Sequence, residues 1–367
     1  MGEREPNLFD FATSELSQDA FICWLISWVN YPIEKELNKC AKSFVALLFN
    51  LNNPGKEITG DDVEMILGDI KKQYCKTDVY FKARINQKTE SFIVEDKTDT
   101  THHSDQLKRY LENISKETGL NEEIVLIYFK TGYLFGWDYD SIRHGYKILD
   151  YKTINSFLQK YSINNAIYND YKKHIEELND YYANHLSALY KPNGYNLFEL
   201  DFVQYEFMKK LSENCPQHIN KYYVDNGTNR GGTPWTSFDF IEFSDAINGE
   251  IDEQVYYRLD FRKNDVTQNW NYYLCLRHYA GVKGNSTGKE EKIKRLEVYK
   301  NIFSSIDKSS VKLKFSAVRN DWSGANQSEI AILFFDDKNN SPKNVLIELP
   351  AIHQKFVNEV KNIYDKS

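Results

Sequence analysis

Cysteine is scarce in this chain of 367 residues: there are five, at positions 23, 40, 75, 215 and 275, and no two stand in CxxC spacing. The scatter argues against a regular zinc motif or a disulfide framework and favours reduced thiols. No apolar run is long enough to span a bilayer. The first residues, MGEREPNLFDF, do not follow the basic-then-apolar pattern of a signal peptide, so we expect a cytoplasmic protein with no membrane partner.

An excess of basic residues is also missing, since the formal net charge is −7. A protein that simply coats phosphates would be basic, so the composition counts mildly against a nucleic-acid partner. A carboxylate-rich metal site with a local basic patch remains compatible with an acidic total. Aromatic residues are abundant, with 26 Tyr and 22 Phe. They fill protein cores and also stack on bases, and both readings stay open.

The first half of the chain alternates between helical and strand-like patterns. Apolar spacing predicts helices over 14–30 and 34–50, followed by strands over 63–67, 73–83 and 91–96, with a turn at 86–88 between the last two strands. A helix over 104–116 and a strand over 124–129 come next. In the first helix the residues expected to pack on a sheet are Leu16, Ala20, Phe21, Trp24, Leu25 and Trp28. This order predicts an α/β fold with a mixed central sheet flanked by helices.

A domain boundary is expected after a long helical stretch over 165–188, where Lys191, Pro192, Asn193 and Gly194 break the pattern. We therefore divide the chain into domains 1–190 and 191–367. The second domain predicts as α+β, with helices near 198–213, 288–305 and 342–364 and strands near 220–225, 237–245, 254–263, 271–279, 312–318 and 329–335.

The segments KTDVYF (76–81) and SFIVEDKTDT (91–100) concentrate the chemistry. Alternate side chains of a strand share a face, so Glu95 and Lys97 point one way and Asp96 the other. If the neighbouring strand places Asp78 beside them, two carboxylates and one ammonium group meet at a strand end.

Such a set suits a hard divalent cation, Mg²⁺ or Mn²⁺, because these ions need few protein oxygens when water and phosphate supply the rest. A lysine close by can orient water and stabilise developing negative charge. The chemistry that this inventory fits is hydrolysis of a phosphodiester.

An acidic residue two places before a lysine also occurs elsewhere after apolar segments. Asp69 with Lys71 is one case, and Asp336 with Lys338 is another, although Asn339 and the residues after it suggest an exposed turn. By spacing alone, the set at 78, 95 and 97 could equally be a solvated strand end with an incidental ion pair.

Several linked motifs add specificity. The segment SELSQDAFICWLI is followed by KTDVYF and by IVEDKTDTTHHSDQLKRY, which ends in Gln-Leu-x-Arg-Tyr at 106–110. Over roughly residues 7 to 135 this series resembles the PD-(D/E)XK nuclease superfamily, specifically a bacterial branch with a motif like IENKI…QLxRY. The resemblance implies a restriction-endonuclease-like αβββαβ core. Asp96 and Thr98 depart from the branch's pattern, and neither is a predicted ligand.

The resemblance also implies roles for individual residues. Asp78, Glu95 and Glu15 would be metal ligands, Lys97 the catalytic lysine, and Gln106 a contact to the nucleophile or the substrate phosphate. Glu15 could instead be a carboxylate favoured by the helix dipole, and Gln106 a solvated helix position. Tyr110, on the same helix face as Gln106, is expected to pack, and the loop pair His102 and His103 could contact a phosphate or have no role.

The second half carries one notable alternation, in which Tyr256, Arg258, Asp260 and Arg262 share a strand face. With Trp270, Tyr272, Arg277 and His278 this face could form a nucleic-acid platform, and ordinary cross-strand pairing explains it as well. The loop around Arg230 in NGTNRGGTPW is expected to join a hairpin.

Together these patterns predict a metal-dependent nuclease, most simply a DNA endonuclease in defence, restriction or repair. The alternatives are a non-catalytic protein that binds nucleic acid or a partner on a nuclease-like scaffold, and a ligand-activated RNA nuclease. Double-strand cutting would favour a homodimer.

Overall fold

The computed structural model describes residue 9 and residues 14–98, 124–247, 251–264, 267–282, 289–318 and 327–364. Its contacts divide the chain into two compact units, Met1–Ala183 and Asn184–Ser367. Each unit contains a five-stranded sheet with helices. Within the described residues, no helix has both the length and the apolar character needed to cross a membrane.

The sheet of the first unit is mixed. Its strands, in spatial order, are β1 (Val63–Tyr74), β2 (Thr77–Ile85), β3 (Lys88–Lys97), β4 (Ile124–Lys130) and β5 (Lys147–Asp150). The first three strands pair antiparallel, whereas β3–β4 and β4–β5 pair parallel. The predicted α/β class with a mixed sheet is therefore confirmed. The sequence patterns had not indicated β5.

The turn between β2 and β3 places two residues in the left-handed region. Ile85 pairs with Lys88, and the two central residues, Asn86 and Gln87, have φ angles of 48° and 66°. This is the geometry of a two-residue hairpin turn with positive φ at both central positions. It fixes the β2–β3 register, which sets the position of Asp78 relative to Glu95.

Among the described residues, the α-helices of the first unit are α1 (Ser14–Ser27), α2 (Lys35–Asn52), α3 (Asp140–Arg143), α4 (Tyr151–Leu158) and α5 (Ala166–Ala188), the last continuing five residues past the unit boundary. Residues of α1, α2, α4 and α5 form one apolar core with the sheet face that carries Phe81, Phe92 and Val94. A smaller apolar cluster, including Tyr80 and Tyr128, lies on the other face.

The buried face of α1 matches the expected one in part, since Phe21 and Leu25 are buried and Trp24 and Trp28 pack against the core. Leu16 is 57% exposed and Ala20 is exposed, whereas Gln18 and Asp19 are buried together with Ile22. The helix is thus rotated so that two polar residues face inward.

The outer edge of β1 is partly covered by a side chain. Just after α1, the Asn30 amide nitrogen donates to the Ile66 carbonyl at 2.9 Å, and the Ile66 N–H donates to the Asn30 amide oxygen at 2.8 Å. Asn30 therefore pairs with this residue as a neighbouring strand would.

The sheet of the second unit is antiparallel throughout. Its strands, in spatial order, are β6 (Tyr223–Thr228), β7 (Pro234–Ile247), β8 (Ile251–Lys263), β9 (Trp270–Val282) and β10 (Gln327–Phe334). Helices α6 (Asp201–Asn214), α7 (Lys289–Ser305) and α8 (Pro342–Tyr364) accompany it. The strand expected near 312–318 is wrong, because only an isolated bridge from Ser316 to Ile332 forms there.

Candidate active site

Asp78, Glu95 and Lys97 lie together at the ends of two adjacent strands. Val79 pairs with Val94 in the antiparallel β2–β3 register, which sets Asp78 opposite Glu95. Strand alternation then places Lys97 on the same sheet face as Glu95. The sheet therefore places Asp78 beside Glu95 and Lys97, which is the arrangement expected from the sequence.

The Lys97 ammonium lies between the two carboxylates. Its Nζ donates to Glu95 Oε1 at 2.7 Å and to the Asp96 carbonyl at 2.7 Å, and it stands 3.4 Å from Asp78 Oδ2. Asp78 Oδ2 also accepts the Asp96 N–H at 2.9 Å. Glu95 is fully buried and Lys97 nearly so, whereas Asp78 is half-buried. The cluster thus reaches the surface through Asp78.

The electrostatic surroundings favour a neutral Glu95. Burial and then the nearby charge of Asp78 raise the pKa of Glu95 to about 8, against the opposing effect of Lys97. A buried acid with a raised pKa at a strand end is typical of functional sites, although structural networks can produce one too. Burial and the Asp78 charge therefore favour the protonated form of Glu95, whereas Lys97 favours its carboxylate.

On the opposite sheet face, Asp96 is tied to helix α1. The Gln18 amide donates to Asp96 Oδ1, and the Thr131 hydroxyl, just after β4, donates to Gln18 Oε1 at 2.7 Å. The Thr131 N–H donates to the Lys97 carbonyl at 3.2 Å. These bonds join one helix and two strand ends, and they fix the backbone that carries Lys97.

Asp19 is the acidic residue that the sequence analysis missed. It is 2% exposed, and its Oδ1 has no hydrogen-bond partner in the described part of the chain. Burial and then the charge of Asp78 raise its pKa to about 6. Burial and the neighbouring Asp19 raise the pKa of Asp96 well above its usual range. The sequence signal that could have revealed Asp19 is the pair of polar residues, Gln18 and Asp19, directly before an apolar run.

A second buried network adjoins the site on β4. Tyr128 pairs with Glu95 in the β3–β4 register, and its hydroxyl donates to Asp138 Oδ1 at 2.8 Å. Lys130 pairs with Lys97 in the same register and approaches Asp138 Oδ1 at 3.6 Å. Tyr128, Lys130 and Asp138 are all buried, so this network supports the wall beside Glu95.

The remaining predicted residues lie partly or wholly outside the described residues. Glu15 belongs to α1, but its side chain is not among those described. Gln106, Tyr110, His102 and His103 fall within 99–123, outside the described residues. Their roles stay predictions.

The two competing acid-x-Lys segments form no comparable cluster. Asp336 Oδ1 accepts the backbone N–H groups of Lys338, Asn339 and Asn340 at 2.6–2.9 Å, which makes it the centre of a turn. Asp69 is exposed on β1, where the β1–β2 register shifts between Leu67 and Lys71.

The polar face of β8 carries several ion pairs. Arg258 Nε donates to Asp260 Oδ2 at 2.9 Å, and its guanidinium lies 4.5 Å from the centre of the Trp235 ring. Arg262 pairs with Glu329 of β10. These contacts favour side-chain pairing within the sheet over an open nucleic-acid platform. The loop around Arg230 joins β6 to β7 as a hairpin, as predicted.

The donor set of the site consists mainly of carboxylate oxygens, which suit a hard divalent cation. Among the described residues, no group of three or more His, Cys, Asp and Glu side chains is arranged to hold a metal ion. Asp78 and Glu95 nevertheless offer hard oxygen donors, and Mg²⁺ commonly uses one or two protein carboxylates with water and phosphate. The buried Asp19 has one unpartnered oxygen in the described part of the chain, and the charge of Asp78 acts on this residue. By the chemistry of its donors, the site fits Mg²⁺ or Mn²⁺.

Comparison of the chain with protein family models, with curated proteins and with solved structures gives no match.

Proposed function

We propose that this protein is a metal-dependent nuclease that hydrolyses phosphodiester bonds, and that its substrate is DNA. One observation carries the proposal: two carboxylates on adjacent strands, Asp78 and Glu95, share the Lys97 ammonium at a strand end. A restriction-endonuclease-like core, a cytoplasmic location and a role in defence, restriction or repair belong to the same proposal.

The side chains divide the work by chemistry. Asp78 and Glu95 would hold Mg²⁺ or Mn²⁺, with Asp19 and the predicted Glu15 as further acids on α1. When bound, the ion lowers the pKa of water and neutralises charge on the phosphate. Lys97 donates hydrogen bonds to the attacking water or to the phosphate oxygens. Gln18 and Thr131 hold the strand end that presents Lys97.

The test is cleavage of plasmid and single-stranded DNA in Mg²⁺ or Mn²⁺, with RNA as a parallel substrate. We expect wild-type cleavage that Lys97→Ala abolishes and that Lys338→Ala, in the acid-x-Lys segment of the exposed turn, leaves unchanged. Cleavage that survives Lys97→Ala, or no cleavage of any of these substrates, would remove the proposal.

A binding protein on the same scaffold is the rival, and one observation favours it: the Lys97 ammonium already stands between Asp78 and Glu95, where a bound cation would compete with it. Titration calorimetry with Mn²⁺ separates the two. The nuclease takes up the ion in a manner lost in Asp78→Asn and Glu95→Gln, whereas the scaffold shows no uptake that depends on these residues.

A further inference from the structure

A concave pocket lies over β1 and β2, on the sheet face that carries the candidate site. Its volume is about 320 Å³, and its lining includes Asp69, Lys71, Tyr74, Tyr80 and Lys82. Tyr80 and Lys82 follow Asp78 along β2 at steps of two residues, so all three share one face. Two residues of a strand span about 7 Å, which puts the pocket next to the site.

The pocket combines aromatic rings with positive charge. The Tyr74 and Tyr80 rings stand with centroids 5.3 Å apart, and the Lys71 ammonium lies 4.1 Å from the centre of the Tyr74 ring. Lys82 adds a second ammonium, and one carboxylate, Asp69, offsets part of this charge. In a chain with a net charge of −7, this is a local basic patch beside an acidic cluster.

Tyr80 is 4% exposed, and its hydroxyl is buried without a hydrogen-bond partner in the described structure. A buried polar group left unpaired costs free energy, so a ligand that supplies a partner gains from it. Tyrosine faces recognise unstacked bases, and lysines contact the adjoining phosphates.

We propose that this pocket binds an unpaired nucleotide of the substrate strand, next to the phosphate at Asp78 and Glu95. The base packs against the tyrosines, and Lys71 and Lys82 contact the backbone. This inference rests on the proposed nuclease function and adds a substrate class, a DNA segment with single-stranded character at the point of cleavage.

The test is fluorescence anisotropy of the full chain with labelled oligothymidylate and with a duplex of matched length, in Ca²⁺ across a salt series. We expect the single strand to bind more tightly. The double variant Lys71→Gln/Lys82→Gln should lose about tenfold in affinity and reduce the salt slope by about 1.4, since each phosphate contact on a single strand contributes about 0.7. Tyr74→Leu should lose about tenfold through lost stacking, and Tyr80→Phe, which keeps the ring, about threefold.

The matched control is Lys39→Gln/Lys88→Gln, which removes the same charge from two exposed positions of the same unit and should change neither affinity nor slope. Equal loss in control and pocket variants, tighter duplex binding, or no binding by the wild type would overturn the inference. Cleavage is measured separately. If the wild type cleaves DNA but the pocket variants bind normally, the pocket proposal fails and the nuclease proposal stands. If the pocket binds single strands but the protein cleaves no DNA, the nuclease proposal fails and the binding proposal stands.

Discussion

Two fully buried glutamates, one in each unit, have opposite electrostatics. Burial and Asp78 raise the pKa of Glu95 to about 8, with Lys97 opposing. Burial also raises the pKa of Glu253 on β8, but hydrogen bonds and charge from His278 and Arg295 outweigh it and leave this pKa below its usual value. The partners, more than the depth of burial, decide whether a buried acid is a stable structural ion or a poised group.

The same contrast extends to the neighbouring residues. Around Lys97 several acids crowd one ammonium, and the pKa values of Asp19, Glu95 and Asp96 all rise. In the second unit, Arg258, Arg262 and Arg295 each pair with a carboxylate. Under the proposed function, the excess acids of the first unit are the candidates for chemistry, whereas these three matched pairs of the second unit resemble structural ion pairs.

The largest expected effect comes from removing the shared cation. Lys97→Ala should lower the DNA cleavage rate by about 10³-fold, or about 4 kcal/mol, because transition-state charge loses its donor. Rates from plasmid nicking, normalised to folded protein, measure it. A loss below tenfold would contradict a catalytic role.

Arg295→Met removes the cation from the ion pair with the buried Glu253 in the second unit. Because a buried carboxylate loses a cationic partner, the free energy of unfolding should fall by about 3 kcal/mol. Denaturant titration measures the fall. The control is Lys300→Met, which removes an exposed i,i+3 pair with Glu297 and should lower the free energy of unfolding by less than about 0.5 kcal/mol. Cleavage per folded molecule should not change, and a variant as stable as the wild type would break the comparison.

Glu95 should make stability depend on pH in the absence of divalent ions. Its pKa is raised in the folded state, so its contribution is complete below the unfolded value and is lost as pH rises toward 8. Between pH 5 and pH 7 the loss should be about 2 kcal/mol. In EDTA, the free energy of unfolding of the wild type should fall as the pH rises over this range, and that of Glu95→Gln should fall less steeply. Equal slopes would show that Glu95 ionises normally.

The smallest expected effect decides between two acids of α1. Asp19→Asn should weaken Mn²⁺ binding about tenfold if its buried oxygen serves the ion. Glu15→Gln, measured by the same calorimetry, tests the acid that the sequence predicted. A loss confined to Glu15→Gln would assign the role to that residue instead.

Strand alternation predicted the central cluster, and the linked motifs distinguished it from the other acid-x-Lys segments. The spacing of Glu95 and Lys97, the upstream Asp78 and the turn at Asn86 and Gln87 are local signals, and the register follows from them. The structure brings the three side chains together, and their catalytic role stays a prediction.

Tertiary contacts account for what the sequence did not show. Gln18 and Asp19 look solvent-facing on a helical wheel, but a partner strand that presents Asp96 draws them inward. Asp138, buried beside Lys130, follows β4 in a segment without periodicity, and β5 has only four residues. Neither short segment carries a pattern long enough to detect.

Asn30 has a consequence for how this protein behaves at high concentration. An open strand edge is a template on which foreign chains can add and aggregate. By occupying both the N–H and the C=O of Ile66, the Asn30 amide removes the two groups through which an incoming strand would dock there. One side chain thus closes one docking position on this edge of the sheet.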